Sequence, residues 1–281
     1  MNKLTTERRV RVLQALVEGN SIRATSRMTG AAINTIVKLL ADMGSAALDF
    51  HDEVMRELPC QRLQCDEIWS FVYAKAKNVP DQYQGEHGYG DVWTWTAIDA
   101  ETKLVPCWHV GGRGASDAWE FMQNLSGRLA NRVQLTTDGH SAYLSAVEDA
   151  FGIDIDYAML IKLYGRDLEG DTRYSPAQCV GAEKRAVRGN PDAKHVSTSY
   201  VERQNLTMRM SMRRFTRLTN AFSKKLENHM YAIALHFLHY NFARPHKTLS
   251  KPYPTTPAMA AGLTDHVWSI EELLGLLERS N

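Results

Sequence analysis

Cysteine is scarce in this 281-residue chain, with four residues, Cys60, Cys65, Cys107 and Cys179, that show no CxxC spacing and match no zinc-ribbon pattern. That usage argues for reduced structural thiols over a disulfide framework or a sulfur-bound zinc ion. Long apolar runs are missing too: nothing approaches the ~18 consecutive apolar residues of a membrane span. The segment from Met1 to Arg11 is polar and charged, unlike a secretory signal. The expectation is a cytoplasmic protein with no membrane partner. There is no internal repeat or low-complexity tract, and 44% hydrophobic with 23% charged residues excludes the disordered and fibrous classes. A chain of this length can bury one substantial core and carry a small accessory domain at either end.

Net charge is almost absent, +1 at pH 7, but the charges are unevenly spread. Residues 1–43 hold seven Lys/Arg against three Asp/Glu. Residues 203–225 hold Arg203, Arg209, Arg213, Arg214, Arg217, Lys224 and Lys225 with no acidic residue. A charge run is usually a solvated helix face, yet DNA binding depends on where cations lie rather than on their sum.

The first forty-odd residues have a helix-turn-helix rhythm: three short helical patterns broken at Gly19-Asn20 and Thr29-Gly30. Helix one places Val10, Leu13 and Val17 on one face, Ser21 caps helix two, and helix three carries Ile33, Ile36, Val37 and Leu40 at helical spacing. In such a motif the third helix reads the major groove, here with Asn34, Thr35 and Lys38, while Arg23 and Arg27 hold phosphates. A helical protein-interaction module has the same outline. A linker helix is expected over residues 46–58, the linker ending by residue 62.

The pattern then changes to strands at 63–73, 92–98 and 104–110, the last two joined by the turn Asp99-Ala100-Glu101-Thr102-Lys103. A helix follows at 115–130 and a short strand at 133–137, an order that implies an α/β domain. Residues 157–198 lose periodicity and read as an irregular insertion or loop. Helices return at 199–215 and 223–242, and Ser269-Ile270-Glu271-Glu272 is a capping box opening a last helix in a tail that covers 251–281.

Two carboxylates interrupt or end apolar strands, Asp66 and Asp138, and a third, Glu202, opens the basic helix. An unpartnered buried carboxylate is costly, so acids at a core edge bind a cation, pair with a base or accept several hydrogen bonds. Hard oxygen ligands suit Mg²⁺ or Mn²⁺, and three acids can hold two such ions. Two ions ~3.5–4 Å apart activate the attacking water or 3′-hydroxyl and stabilise the leaving oxygen of a phosphodiester. Arg209, two turns after Glu202, places a cation on the same face.

Asp-Glu-Ile-Trp-Ser-Phe from Asp66, the Asp99 hairpin, Thr-Asp-Gly-His-Ser-Ala-Tyr from Thr137, Ser-Tyr-Val-Glu-Arg-Gln-Asn from Ser199 and Tyr-Asn-Phe-Ala-Arg-Pro-His-Lys-Thr-Leu from Tyr240 together resemble bacterial insertion-sequence DDE transposases. The resemblance spans roughly residues 60–250. It implies an RNase H-like fold, shared with retroviral integrases: a mixed five-stranded sheet flanked by helices over residues 63–250, with the helix-turn-helix of residues 1–45 before it. It implies Asp66, Asp138 and Glu202 as catalytic, metal-binding acids and Arg209 as the basic residue after the glutamate. It also implies double-stranded DNA, both element ends and target, as partner, a homodimer or larger assembly on that DNA, and a place on the nucleoid. The 64 positions between Asp138 and Glu202 exceed the compact spacing of the superfamily, so 157–198 is expected to be an insertion, with Glu183 a weaker candidate for the third acid. The rivals are a nuclease of the same fold without strand transfer, and an inactive or domesticated transposase that only binds DNA.

Strand alternation turns Glu67 away from Asp66, toward solvent or a helix. Asp99 reads as a turn residue, His140 as a neighbour of the acids or a helix-start residue, and His229, His236 and His239 as core or helix-surface histidines. Asn241, Arg244, His246 and Lys247 form a polar knot expected to pack on the catalytic edge or touch DNA. Trp69, Trp93, Trp95 and Trp108 are assigned to sheet and core.

Overall fold

The computed structural model describes residues 4–165, 179–216 and 221–279. Three helices open the chain: α1 (Thr6–Val17), α2 (Ile22–Thr29) and α3 (Ile33–Val54). Thr5 and Ser21 accept hydrogen bonds from the Arg8 and Ala24 backbone N–H groups, capping α1 and α2. Gly30, at φ 66°, closes α2 in the left-handed conformation that glycine adopts without penalty. The expected linker helix is not a separate element: residues 46–54 continue α3 without a break. Gly44 lies inside this helix because α3 crosses α7 (Leu226–Leu238) there; a β-carbon would stand 2.2 Å from Tyr231 Cβ. Close approach, not a helix stop, explains that glycine.

The sheet has six strands rather than five: β1 (Arg62–Val72), β2 (Gly90–Asp99), β3 (Cys107–Gly111), β4 (Val133–Thr137), β5 (Ile155–Tyr164) and β6 (Cys179–Arg188). Their order is β3-β2-β1-β4-β5-β6. β1, β4 and β5 run parallel to one another, and β2, β3 and β6 pair antiparallel with their neighbours. The segment 157–198, expected to be irregular, therefore supplies most of β5 and all of β6; its residues 166–178 lie outside the described chain, as does Arg217. β6 is exposed along most of its length, so no one-sided apolar pattern marks it as a strand.

Between β3 and β4 runs α4 (Ala115–Ser126), and between β4 and β5 runs α5 (Ala142–Phe151). Residues 63, 65, 95 and 97 face these two helices and share a core with Phe121, Met122 and Tyr143. The opposite face, with Ile68 and Ile98, packs on α6 (Ser199–Ser211) and α7 through Val201, Met208, Ile233 and Phe237. Val12, Leu13, Ile36 and Leu40 from the N-terminal helices belong to the first of these cores, together with Leu273 and Leu276 of α9 (Ile270–Arg279). The short α8 (Pro257–Ala260) lies between α7 and α9 in sequence. The capping box is formed: the Ser269 N–H donates to Glu272 Oε2, and the Glu272 N–H donates to Ser269 Oγ. Among the described residues no single helix is long and apolar enough to cross a membrane.

Candidate active site

β1 and β4 run in register from Arg62 opposite Gln134 to Cys65 opposite Thr137, where β4 ends. The next residue on each chain is an aspartate, Asp66 and Asp138. Parallel pairing therefore delivers two carboxylates to one place, as their interruption of apolar runs suggested. One ligand oxygen each from Asp66, Glu67 and Asp138 lies within 4.8 Å of the others. Burial, followed by the charges of Glu67 and Asp138, pushes the Asp66 carboxyl up to about 7. The acids are thus held together against their mutual repulsion.

The third acid is delivered by hydrogen bonds. α6 receives no cap from its own Thr198 side chain; instead Gln64 on β1 accepts from the N–H groups of Tyr200 and Val201, at 2.8 and 3.3 Å. One helical turn on, Asn205 Nδ2 donates to Asp66 Oδ2 at 2.8 Å. Gln64 and Asp66 are two apart on the strand and share a face, so α6 is tied to β1 at two points that bracket Glu202. Glu202 Oε1 accepts from Lys162 Nζ of β5 and from Thr198 Oγ1, each at 2.5 Å. Its charge bears on Asp66, although it lies outside the 4.8 Å group. Glu183, the competing third acid, lies on β6 opposite Ile161 of β5, two strands beyond β1's neighbour, and is outside that group as well.

Glu67 departs from one of its two expected surroundings. It does leave the Asp66 face, but it meets a helix and not solvent: only 7% of it is exposed. Arg113 Nε donates to its Oε2 at 3.2 Å, and its Oε1 completes no hydrogen bond. Burial pushes this carboxyl up to about 7 while the neighbouring Tyr143 hydroxyl and Arg113 pull it down. Arg113 also stacks its guanidinium 4.5 Å from the Trp93 ring centroid. His140 holds the same corner: its N–H donates to Asp138 Oδ1, and its ring stacks on Trp95 and donates from Nε2 to the Arg113 carbonyl.

The candidate DNA contacts divide. Arg23, Arg27, Asn34 and Lys38 are exposed and Thr35 is half-buried, with Lys38 bridged to Asp42 at 2.8 Å. Ile33, expected to pack inward, is 46% exposed beside them, as is Met28 at 62%. Arg203 and Arg213 are exposed and Arg209 is half-buried. Arg214 differs from these: it turns inward, donating to Ser223 Oγ and the Asn228 carbonyl, and burial lowers it to about 10. It ties the chain after α6 to the start of α7.

The remaining candidates take structural places. Asp99 Oδ2 accepts from the Thr102 N–H and hydroxyl, closing the hairpin turn. His229 and His236 are buried in the core. Asn241 donates to the Val105 carbonyl and accepts from the Val105 N–H, fixing the end of α7 to the β2–β3 connection, and Arg244 donates to Ser211 Oγ at the end of α6. Cys60, Cys65 and Cys107 are buried free thiols, and Cys179 is exposed and free. Gln64, Asn205 and Lys162 went unnoticed in the sequence because an amide or cation inside an element carries no positional pattern, and Arg113 because a lone cation in the β3–α4 loop carries none either.

No protein-family model matches the chain, and no curated protein matches its sequence.

The acid set suits a divalent metal. All its donors are hard oxygens, they converge within one ion's reach, and one buried carboxylate oxygen lacks a partner.

Proposed function

We propose that the chain is a metal-dependent DNA-cutting and DNA-joining enzyme, a DDE transposase of a bacterial insertion sequence, on an RNase H-like fold. The observation that carries this reading is the meeting of Asp66, on β1, with Asp138, at the end of the parallel strand β4, and Glu202 on a helix hydrogen-bonded to β1. Asp66, Asp138 and Glu202 would hold two Mg²⁺ or Mn²⁺ ions. When bound, such a pair activates a water or 3′-hydroxyl and stabilises the leaving oxygen of the phosphodiester.

The protein's own residues supply position. Asn205 fixes the rotamer of Asp66 by its hydrogen bond, Gln64 fixes the start of the helix that carries Glu202, and Lys162 neutralises Glu202 in the place an ion would take. Arg203, Arg209 and Arg213 place positive charge along the DNA path after the glutamate. On the N-terminal helices Arg23 and Arg27 would hold phosphates and Asn34, Thr35 and Lys38 would meet base edges of the terminal repeats. Exposed Ile33 and Met28 add apolar surface suited to thymine methyl groups. Two element ends must be brought together, so the working form is a homodimer or larger assembly on DNA, associated with the nucleoid.

The test is cleavage and strand transfer on DNA carrying the element's flanking repeats, with Mg²⁺ or Mn²⁺. Joined products that vanish in Asp66→Ala, Asp138→Ala and Glu202→Ala are expected. Nicking without joining would leave a nuclease, and specific binding without nicking would leave a DNA-binding protein.

A further inference from the structure

We infer that Glu67 is a fourth carboxylate of the metal centre, completing one ion position with Asp66 and Asp138 beside the end of β4, which Glu67 reaches from the α5 side of β1, while Glu202 completes the other from the α6 side. The inference rests on the proposed metal-dependent reaction and extends it to a residue that the three-acid pattern omits.

Three observations support it. The group of ligand oxygens within 4.8 Å of one another consists of Asp66, Glu67 and Asp138, not Asp66, Asp138 and Glu202. Glu67 is more than nine-tenths buried, and its Oε1 completes no hydrogen bond: Arg113 satisfies only Oε2, and the neighbouring Tyr143 hydroxyl is itself left unpaired. A buried carboxylate oxygen left bare is costly, and a cation at that point would remove the cost. The strand geometry explains how both sides are reached. Neighbouring residues point to opposite faces, so Asp66 turns to α6 and Glu67 to α5. β4 stops at Thr137, which leaves Asp138 at the strand end between the two sides.

An all-carboxylate set of this kind selects Mg²⁺ or Mn²⁺ over softer metals. The competing account makes Glu67 only a counter-ion for Arg113, a matter of folding.

Binding of Mn²⁺ alone to the full chain, followed by the loss of the free-ion electron paramagnetic resonance signal, separates the two accounts without relying on catalysis. Wild type is compared with Glu67→Gln, Asp66→Asn, Glu202→Gln and Arg113→Gln, each checked by circular dichroism. Glu67→Gln is expected to weaken the tightest ion at least tenfold, as Asp66→Asn does, whereas Glu202→Gln leaves that ion in place. Arg113→Gln, which removes a competing cation, is expected to tighten binding severalfold, and it carries the test if Glu67→Gln misfolds. Wild-type affinity in a folded Glu67→Gln, or no gain in Arg113→Gln, overturns the inference while leaving the three-acid centre standing if Asp66→Asn loses the ion. A wild type that binds no Mn²⁺ at millimolar concentration overturns this inference and the proposed function together.

Discussion

Two groups of buried titratable side chains respond to burial in opposite ways. Along α3 and α7, His51, His229 and His236 are held down to about 3 and His239 to about 4, in each case chiefly by burial. In the middle of β1, beside the end of β4, burial lifts Asp66 and Glu67 to about 7. A neutral imidazole fits its surroundings: His51 packs at a tilt against Trp108, and His229 lies between Ser70 and Ser223. The carboxylates instead crowd against one another, with Arg113 the cation beside Glu67 and none paired with Asp66 among the described ion pairs. Burial alone does not mark a functional site; crowding of like charges at a strand end does so far better.

The largest expected effect sharpens that contrast. Asp66→Asn should lower metal-dependent cleavage by about 10³-fold, the rate equivalent of several kcal/mol of lost charge stabilisation, in a time course at saturating Mg²⁺. The same variant should be more stable than wild type without metal by about 1 kcal/mol at pH 8, in thermal melts, because a repelling buried charge is gone. A destabilised Asp66→Asn would break the comparison.

His229→Ala should do the reverse. Losing a buried ring and its two serine contacts should cost about 2–4 kcal/mol in denaturant melts, with the metal affinity of the folded protein unchanged.

Acidification gives a third, smaller test. The histidines have folded values below their unfolded value near 6.5, so the unfolded chain binds more protons; their stabilisation is full above pH 6.5 and drains away as pH falls toward 3–4. Asp66 and Glu67 have folded values above their unfolded ones, so they add stability as pH falls from about 7 to 4. The double variant Asp66→Asn, Glu67→Gln should therefore lose stability more steeply than wild type between pH 7 and 4. Parallel curves would refute the assignment. Smallest of all, Lys162→Gln removes a half-exposed ion pair and should change stability by less than ~0.5 kcal/mol, while lowering the half-saturating Mg²⁺ concentration of cleavage about threefold.

The legible parts of the site were those that break a pattern. Asp66 and Asp138 stood out as charges in apolar strands, and Ser21 and Ser269 announced their helices by cap chemistry. Alternation gave the correct face for Glu67 but not what covers that face, because only the tertiary fold brings Arg113 and Tyr143 there. β6 escaped notice since a strand exposed on both faces need not alternate. Arg214 looked like its basic neighbours until the turn after α6 folded it inward. The boundary expected between a reader at residues 33–45 and a linker helix from residue 46 falls inside one continuous helix, whose crossing with α7 at Gly44 left no mark in the apolar pattern.

That unbroken α3 has a consequence of phase. Its exposed first turns, with Asn34 and Lys38, and its buried stretch from Met43 to His51 belong to one rod. Each residue turns an α-helix by about 100° and advances it ~1.5 Å. The azimuth of the outer face relative to the acid cluster is therefore written in the number of residues between Lys38 and Met43. Apolar exchanges at Leu39 and Leu40 keep that azimuth, but adding or removing one residue would swing the face a quarter-turn or more away from the acid cluster.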